Sequence, residues 1–452
     1  MRLRRGAYDV GSDFRRLLTA YAIQTFGEGV VLAALPLLAA SITTDARLVS
    51  IIALMLELPW LLLALPLGVV IDRVHRRRII VITQALQAAA LAVVGLTVLL
   101  GQTHLGLLYV LAFVLGTGDI LFMGASKSII PRVVPADALE SANGMNVTAE
   151  TIGRMFAGPA LGAVMFAAAA QLPLWFDAVT YLASVVLVRT IADHGQFVPP
   201  HTLDAPTAKT GTGRPWTTIA ADIREGAGWL LHHPVLRVTA IMAAISNFSV
   251  FMAQSTLVLF ATEDLGLSAS SYGLLVASMA VGGVVGGLLS GRIARRYGPR
   301  LLIPIVAGAS AASLVLIGTF GRTAWLVGLM FCAWSFGLSV WNVVAQSLSQ
   351  RLIPNGLMGR VGGASRMLAF GALPLGALAG GFVGHWLGLR AVWVVGGLFH
   401  LAATAVATPV VLRWTPEMLK VPADAPAAVP AEAVPAEAVP DVDDPERVEE
   451  YS

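Results

Sequence analysis

The chain has 452 residues, of which 56% are hydrophobic and 13% are charged, and its formal net charge is +3. Its mean hydropathy is +0.76, whereas soluble domains carry about 25% charged residues. The composition excludes a water-soluble globular protein and leaves room for about a dozen membrane spans of roughly 20 residues. The single cysteine, Cys332, excludes an intrachain disulfide and a CxxC metal site, and we expect it to be a small buried residue.

Twelve apolar runs predict an all-α integral membrane protein with six transmembrane helices in each half. The runs lack strand alternation and are about twice as long as a barrel strand, which excludes a β-barrel. The first run contains Glu28 and is too long for a signal peptide, so we predict that it stays uncleaved. The predicted spans of the first half are Leu17–Ser41, Leu48–Ile71, Ile79–Gly101, Leu105–Ser126, Met145–Ala169 and Leu172–Ile191. Those of the second half are Val238–Ala261, Tyr272–Gly291, Leu301–Phe320, Ala324–Gln346, Val361–Trp386 and Ala391–Leu412.

The loops between these runs alternate in charge. One side carries basic residues from the N-terminus onward, namely Arg2, Arg4, Arg5, Arg73, Arg76, Arg77, Lys127, Arg132, Arg224, Arg237, Arg292, Arg295, Arg296, Arg300, Arg351 and Arg360. The other side carries almost only Arg47, Arg322 and Arg390. Because cytoplasmic loops are enriched in Lys and Arg, we expect a multi-pass protein of the inner (cytoplasmic) membrane with both termini in the cytoplasm.

The distribution of polar segments predicts four parts of the chain. Residues 1–191 form an N-terminal six-helix half, and residues 238–413 form a C-terminal half. Between them, residues 192–237 form a cytoplasmic linker whose second part has the spacing of an amphipathic helix. That helix lies either at the membrane interface or packed on the ends of the bundle. Residues 414–452 are rich in Pro, Ala and acids and are predicted to be disordered.

The two halves repeat at one fixed offset of 219 residues, which places Glu28 on Asn247. The same offset pairs Gly68 with Gly287, Arg73 with Arg292, Arg76 with Arg295, Arg77 with Arg296, Arg132 with Arg351, Pro135 with Pro354 and Gly162 with Gly381. Two polar loop motifs in one register predict a parallel repeat of six-helix units. Such repeats place a substrate cavity between the halves, near the middle of the membrane.

The segment Gly68–Arg77, with the sequence G-V-V-I-D-R-V-H-R-R, resembles the cytoplasmic signature of the major facilitator superfamily. It lies between the second and third spans, as in that family, although His75 stands where the family usually has glycine. The second copy, from Gly287 to Arg296, keeps the glycine and the basic residues but has Gly291 in place of Asp72.

Two further segments resemble the macrolide-efflux and enterobactin-exporter branch of that family: Asp222–Pro234 before the seventh span and Pro131–Asn143 before the fifth. The fifth span also resembles the motif of proton-coupled antiporters in Gly153, Gly158, Pro159 and Gly162, with a spacing that differs by one residue. The resemblance implies twelve helices in two pseudo-symmetric halves and proton-coupled export of small amphipathic compounds. The partners expected are a small-molecule substrate, protons and membrane lipids, with no nucleic acid, and the chain is expected to be a monomer.

No GxxxxGK[ST] phosphate loop is present, so an ion gradient is the expected source of energy, with no cofactor or metal. Carboxylates inside membrane spans are rare and mark functional sites. Glu28, near the middle of the first span and flanked by glycines, is the first candidate for a proton site or a counter-ion for a cationic substrate. The others are Asp119, placed in the cytoplasmic third of the fourth span, and Glu57 in the second. Asp177, near the outer end of the sixth span, is expected to be solvated.

Glu150 and Arg154 are spaced i,i+4, which favours an ion pair on one helix. That pair is either structural or part of proton coupling. Asn247 is a candidate because it is the repeat counterpart of Glu28.

Asp72, with Arg73, Arg76 and Arg77, is predicted to act as a conformational latch, and the alternative is that these arginines are only membrane anchors. Some large aromatic side chains are candidates for cavity lining, with plain core or lipid contact as the alternative: Trp60, Phe122, Trp334, Phe336 and Trp341.

Two functions within the same fold remain open: export of drugs or macrolide-like compounds, and export of a siderophore or another secreted metabolite. A non-transporting sensor or a membrane-embedded enzyme is the remote alternative. The sequence has no HExxH or GxSxG motif, and its eight histidines are scattered. We therefore do not expect an enzyme.

The topology gives a first prediction. A reporter fused at Thr103, in the loop between the third and fourth spans, is expected to report the non-cytoplasmic side because that loop lacks basic residues. A cytoplasmic readout from this fusion contradicts the assigned orientation.

Overall fold

Every regular element that the structure describes is a helix, which confirms the all-α prediction. The structure is a computed structural model that describes residues 12–135, 138–191, 193, 197–198, 216–354, 357–415 and 417–419. Three predicted features lie outside the described residues: the first arginines of the N-terminus, the Pro-rich part of the linker and nearly all of the acidic tail.

The helices of the first half are α1 (Ser12–Ile42), α2 (Ala46–Leu62), α3 (Ala64–Arg73), α4 (Arg76–Leu99), α5 (Leu105–Val133), α6 (Leu139–Glu150), a π-helix (Thr151–Ala157), α7 (Gly158–Ala168) and α8 (Leu172–Thr190). The linker contributes α9 (Trp216–His232). The second half contains α10 (Pro234–Gln254), α11 (Leu257–Leu259), a second π-helix (Phe260–Asp264), α12 (Ala269–Phe320), α13 (Ala324–Leu352), α14 (Met358–Leu387), α15 (Leu389–Leu412) and the short 3₁₀ turn Glu417–Leu419.

These helices form the twelve predicted spans. Among the described residues, ten helical segments are long and apolar enough to cross a membrane. The longest, α12, has 52 residues and is broken at Gly298, whose φ of 68° and ψ of 166° are not helical, so it supplies two spans. The helices α2 and α3 together form the remaining span. Its break follows from Pro66, whose ring would clash with the carbonyl of Leu62 in a continuous helix.

The fifth span, predicted at Met145–Ala169, contains the π-helix between α6 and α7. Its widened turn is closed by the N–H of Gly158, which donates to the carbonyl of Gly153, five residues back. Pro159 follows directly and has no N–H to continue the regular pattern. Single π turns of this kind often occur at functional sites.

Helix α1 crosses the fifth span at very short range. A Cβ on Gly158 would lie 2.7 Å from the Cα of Gly29, and one on Gly162 would lie 2.1 Å from the carbonyl oxygen of Val30. Small residues permit this approach of two backbones, which supplies packing energy where both helices already lie in lipid. The glycines of the antiporter-like motif therefore have a structural role in this crossing.

The two halves contact each other at one end of the bundle. We call the end with Arg76, Arg132, Arg295 and Arg351 the basic end. At the opposite end, α14 packs on α2, and a Cβ on Gly381 would lie 2.0 Å from Ser50 Oγ. A polar contact joins the same two helices there, because His385 Nδ1 lies 3.4 Å from the carboxylate of Asp45. Hydrogen bonds from Arg47 hold the pKa of Asp45 at about 2, so this carboxylate is ionised at physiological pH.

At the basic end the halves are separated. Five glycines there have no atom of the described chain within 4 Å of a Cβ position: Gly68, Gly144, Gly287, Gly362 and Gly363. Large apolar side chains on the neighbouring part of α14 are also exposed, including Met367 at 45% and Phe370 at 43%. The bundle is therefore open toward its basic end and closed at the opposite end.

The described part of the linker helix packs on the end of the second half. A Cβ on Gly226 would lie 2.4 Å from the carbonyl oxygen of Arg360, and Arg360 pairs with Glu225 over 2.5 Å. Leu230 is buried in the same apolar cluster as Trp414. These contacts favour the second of the two placements predicted for this helix, packing on the bundle.

The contact between α2 and α14 generates a prediction. The Gly381→Leu variant is expected to lower the free energy of unfolding by about 1–3 kcal/mol because its side chain overlaps α2. The matched control is Gly362→Leu, on the same helix, where the described chain leaves the Cβ position free. Thermal unfolding of the purified variants in detergent measures the difference, and equal melting temperatures contradict the closed contact.

Candidate functional site

Three charged side chains from three different helical segments meet near the middle of the first half. Arg154 of the π-helix donates from Nη1 to Glu28 of α1 over 2.9 Å and from Nη2 to Asp119 of α5 over 3.1 Å. The side chains of Glu28 and Asp119 are 9% and 15% exposed, whereas that of Arg154 is 35% exposed. The guanidinium therefore connects two largely buried carboxylates, and the Arg154 side chain as a whole stays partly exposed. We call these three residues the charge cluster.

The glycines that flank Glu28 bring its neighbours close. A Cβ on Gly29 would lie 2.5 Å from the carbonyl oxygen of Gly153 and 2.9 Å from the Cα of Arg154. A Cβ on Gly27 would lie 2.1 Å from Asp177 Oδ1 on α8. Gly29 thus admits a neighbouring backbone, and Gly27 admits neighbouring side chains. It is this close approach that places Arg154 opposite Glu28.

The predicted ion pair between Glu150 and Arg154 is wrong. Arg154 binds Glu28 and Asp119, whereas Glu150 accepts a hydrogen bond from the Tyr21 hydroxyl over 3.0 Å. The i,i+4 spacing describes only neighbours on one regular helix. It carries no information about the two carboxylates that α1 and α5 bring to the guanidinium.

Of the other carboxylates, Asp119 lies on a helix that is longer than predicted and Asp177 differs from expectation. Helix α5 continues to Val133, beyond the predicted end of the fourth span, so Asp119 lies near the middle of the helix. Asp177 is not solvated: it is fully buried, and Thr180 donates to its Oδ1 over 2.8 Å. Glu57 of α2 interacts electrostatically with the Arg154 guanidinium, so it belongs to the surroundings of the charge cluster.

A chain of buried amides extends from the charge cluster, and the sequence analysis missed it. Gln24 donates to Glu28 Oε1 over 2.7 Å, and Gln84 of α4 donates both to Gln24 and, over 3.0 Å, to Ser184 of α8. Both glutamines are buried. The i,i+4 spacing of Gln24 and Glu28 was the one available signal. The hydrogen bonds fix the orientation of the Glu28 carboxylate from the side opposite Arg154.

Among its described residues, the second half has no equivalent cluster. Asn247, the counterpart of Glu28, donates from its amide to the carbonyl oxygen of Ala369 over 2.9 Å. At the repeat offset, Asp119 corresponds to Leu338 and Arg154 to Leu373. The charged chemistry is therefore confined to the first half.

The basic motif after α3 contacts the beginning of the linker. The Arg77 guanidinium lies 4.4 Å from the centre of the Phe197 ring and donates to the carbonyl of Ile191. His75 Nε2 lies 3.1 Å from the Asp193 carboxylate. The Asp72 side chain lies outside the described residues, and Arg73, Arg292, Arg295 and Arg296 are exposed. The described contacts neither require nor oppose the predicted latch.

An apolar groove lies beside the charge cluster, although none of the three cluster residues lines it. Its volume is about 830 Å³, and it lies between α1 and α6. Leu18, Phe26, Met145 and Ile152 line it, and so does Gly153, the residue next to Arg154. Trp60 of α2 stacks on Phe370 of α14 with ring centroids 6.2 Å apart, so the two halves are in contact at this point.

The geometry of the charge cluster gives a prediction for two variants. Arg154→Gln leaves two buried carboxylates without their cation, so we expect loss of function together with a loss of stability of about 1–3 kcal/mol. The double variant Glu28→Gln/Arg154→Gln removes one charge of each sign and is expected to recover most of the lost melting temperature but no function. Unfolding of the double variant at or below the temperature of Arg154→Gln contradicts this pairing.

Comparison with known proteins agrees with the fold. The profile of the Major Facilitator Superfamily matches residues 17–377. The multidrug efflux pump Tap of Mycolicibacterium fortuitum is 24% identical over 402 residues, which cover 86% of this chain and 94% of that protein. The enterobactin exporter EntS of Citrobacter koseri is 24% identical over 301 residues, or 66% of this chain and 67% of that protein.

Two solved structures share the fold and are inward-facing. The bacterial homologue of the human lysosomal transporter Spinster, unoccupied, aligns with a TM-score of 0.67 at 16% identity and covers 91% of this chain and 100% of that chain. The bacterial homologue of the iron transporter ferroportin aligns with a TM-score of 0.63 at 18% identity, covering 89% of this chain and 98% of that chain. Because the family profile covers most of the sequence and the helices assemble as predicted, the chain belongs to the Major Facilitator Superfamily and is a multi-pass membrane transporter of small molecules rather than an enzyme.

Proposed function

We propose that this protein exports small amphipathic compounds in exchange for protons and that the charge cluster is the exchange site. The observation that carries the proposal is the placement of Glu28 and Asp119 on the single guanidinium of Arg154. Relatives named as a multidrug efflux pump and an enterobactin exporter support the direction of transport.

The charges of the cluster explain the exchange. With both acids ionised, two negative charges face one positive charge, and a net negative charge remains in a site that is largely shielded from water. Such a charge is unfavourable unless something neutralises it. Either a proton on one carboxylate or a cationic group of the substrate does so. Because each removes the need for the other, binding of the substrate and binding of the proton are mutually exclusive, which is the condition for antiport.

The orientation follows from the distribution of charge. We place the basic end in the cytoplasm by the positive-inside rule, which also puts both termini there. The open conformation then admits substrates from the cytoplasm or the inner leaflet. For release on the other side the halves must close at the basic end. We propose that Asp72, Arg73, Arg76 and Arg77, with Gly68 and the repeat copy from Gly287 to Arg296, form the latch that holds that closed state.

The groove indicates the class of substrate. A volume of about 830 Å³ with mostly apolar lining accommodates a drug-sized molecule, and the adjoining charge cluster favours a cationic group on it. A siderophore or another secreted metabolite is the second candidate. The partly exposed side chain of Arg154 favours it, because a guanidinium binds anionic oxygens.

The remaining parts of the proposal concern the assembly. The six-helix halves (1–191 and 238–413) rock against each other around the central site, joined by the linker 192–237, and one chain is the transporting unit. Exposed apolar side chains on the outer helices, such as Val110 at 62% and Val179 at 63%, contact lipid. Transport does not require the acidic part of the tail, residues 420–452.

The test is efflux of ethidium and of a macrolide panel from energised cells, with and without a protonophore. We expect the protonophore to stop extrusion, and we expect Glu28→Gln to abolish coupled export while leaving membrane insertion intact. The matched control is Glu263→Gln, which removes an exposed acid remote from the cluster. Wild-type rates of export by Glu28→Gln would falsify the assignment of the exchange site.

The two candidate substrate classes give different results in the same experiment. Extrusion of a panel compound supports export of drugs. If the inserted wild-type protein extrudes no panel compound, whereas culture medium from expressing cells gains a secreted iron chelator, the siderophore class is correct. Extrusion that persists without a proton gradient contradicts proton exchange.

A further inference from the structure

A small cavity with three polar side chains in a mostly apolar lining lies inside the second half, away from the charge cluster. It is enclosed by α10, α12, α13 and α15 and has a volume of about 20 Å³. His400 of α15 lines it and is 2% exposed, and Ser310 of α12 and Ser246 of α10 line it from other sides. Trp334 and Trp341 of α13 form an aromatic wall. Both rings are half-buried, so this wall also has an exposed side.

Two of the polar side chains of this cavity, His400 and Ser310, are buried without a hydrogen-bond partner in the described chain. Within the described part of the chain, neither ring nitrogen of His400 has a hydrogen-bond partner, and Ser310 Oγ has none either. Buried polar groups nearly always have a partner, and leaving one unpaired costs about 1–3 kcal/mol. A neutral imidazole presents one donor and one acceptor, and a hydroxyl presents both. The matching ligand is therefore a small group that both donates and accepts, as an O–H group does.

The internal repeat relates this cavity to the carboxylate site of the first half. At the offset of 219 residues, Ser246 corresponds to Gly27, Leu338 to Asp119 and His400 to Tyr181. Gly27 packs against the Asp177 carboxylate, and Asp119 belongs to the charge cluster. The cavity thus occupies the position in the second half that the carboxylate site occupies in the first. No carboxylate or guanidinium is among its described lining residues.

We propose that His400 and Ser310 form a second binding site, which takes the hydroxyl group of a substrate. In the absence of substrate a water molecule takes the same place, since about 20 Å³ suffices for one such group and excludes a ring. This inference rests on the proposed function and extends it. The first half neutralises the charge of the substrate, and the second half recognises a neutral hydroxyl.

The test uses two matched amphiphilic cations, benzyldodecyldimethylammonium and benzyldodecyl(2-hydroxyethyl)methylammonium, binding to the purified full chain in nanodiscs. The quantity of interest is the ratio of their dissociation constants. Partitioning of each compound into the lipid is the same for every protein variant. A difference in the ratio between variants therefore comes from binding to the protein. In wild type we expect the hydroxyl compound to bind about 3- to 10-fold more tightly, the worth of one hydrogen bond.

Four variants separate recognition from structure. His400→Phe and Ser310→Ala are expected to bring the ratio of dissociation constants close to the ratio measured with nanodiscs that contain no protein. His400→Asn keeps a donor and an acceptor and is expected to preserve most of the preference for the hydroxyl compound. The matched control is Thr404→Val. Thr404 lies one turn from His400 on α15 and is buried, but it does not line the cavity. Ser310→Ala decides the matter if His400→Phe does not fold.

The outcomes are distinct. A wild-type ratio that persists in both His400→Phe and Ser310→Ala overturns the second site, and so does an equal loss in Thr404→Val. Binding of both cations that is weakened by Glu28→Gln but shows no hydroxyl preference leaves the proposed function intact and removes this inference alone. Failure of the folded wild-type protein to bind either cation contradicts the proposed function and this site with it.

Discussion

The crossing of α1 and the fifth span is the constraint on which the site depends. Gly29 and Gly158 bring the two backbones together, and the π-helix between α6 and α7 widens the turn that carries Arg154. A larger residue at either glycine would separate the helices and withdraw the guanidinium from Glu28. The chemistry of the charge cluster is therefore coupled to backbone packing: side chains that bind protons or substrate are held by an interface that has no freedom to shift by a methyl group.

The two halves share one architecture but differ in chemistry. Carboxylates, the guanidinium and the buried glutamines belong to the first half, and the positions that correspond to them in the second half are mostly apolar or neutral. A repeat fixes where helices cross and where a cavity forms, because those depend on glycine positions and helix lengths. It does not fix the polarity of that cavity. One half is thus suited to handling charge, and the other retains His400 and Ser310 for uncharged hydrogen bonding.

The contacts between the halves explain how one bundle has two ends of different accessibility. Opposite the basic end, glycines on α12 and α14 pack directly on the other half, and the Asp45–His385 pair reinforces that contact. At the basic end, comparable small residues face open space. Closure there would bring like-charged arginines of the two repeat motifs together. An acid near them, of which Asp72 is the candidate, is what electrostatics requires for a stable closed state.

The sequence by itself determined the membrane class, the twelve spans, the repeat, the family and the glycines around Glu28, because length, hydropathy and local spacing are one-dimensional properties. It also named Glu28, Asp119 and Arg154. The tertiary structure decided that these three form one cluster, that Glu150 pairs with Tyr21 and that Asp177 is buried. It also decided that Gln84 joins the network and that His400 faces a cavity. Each of these facts is a contact between helices far apart in the chain, and the packing of those helices, rather than any local pattern, sets which side chains meet.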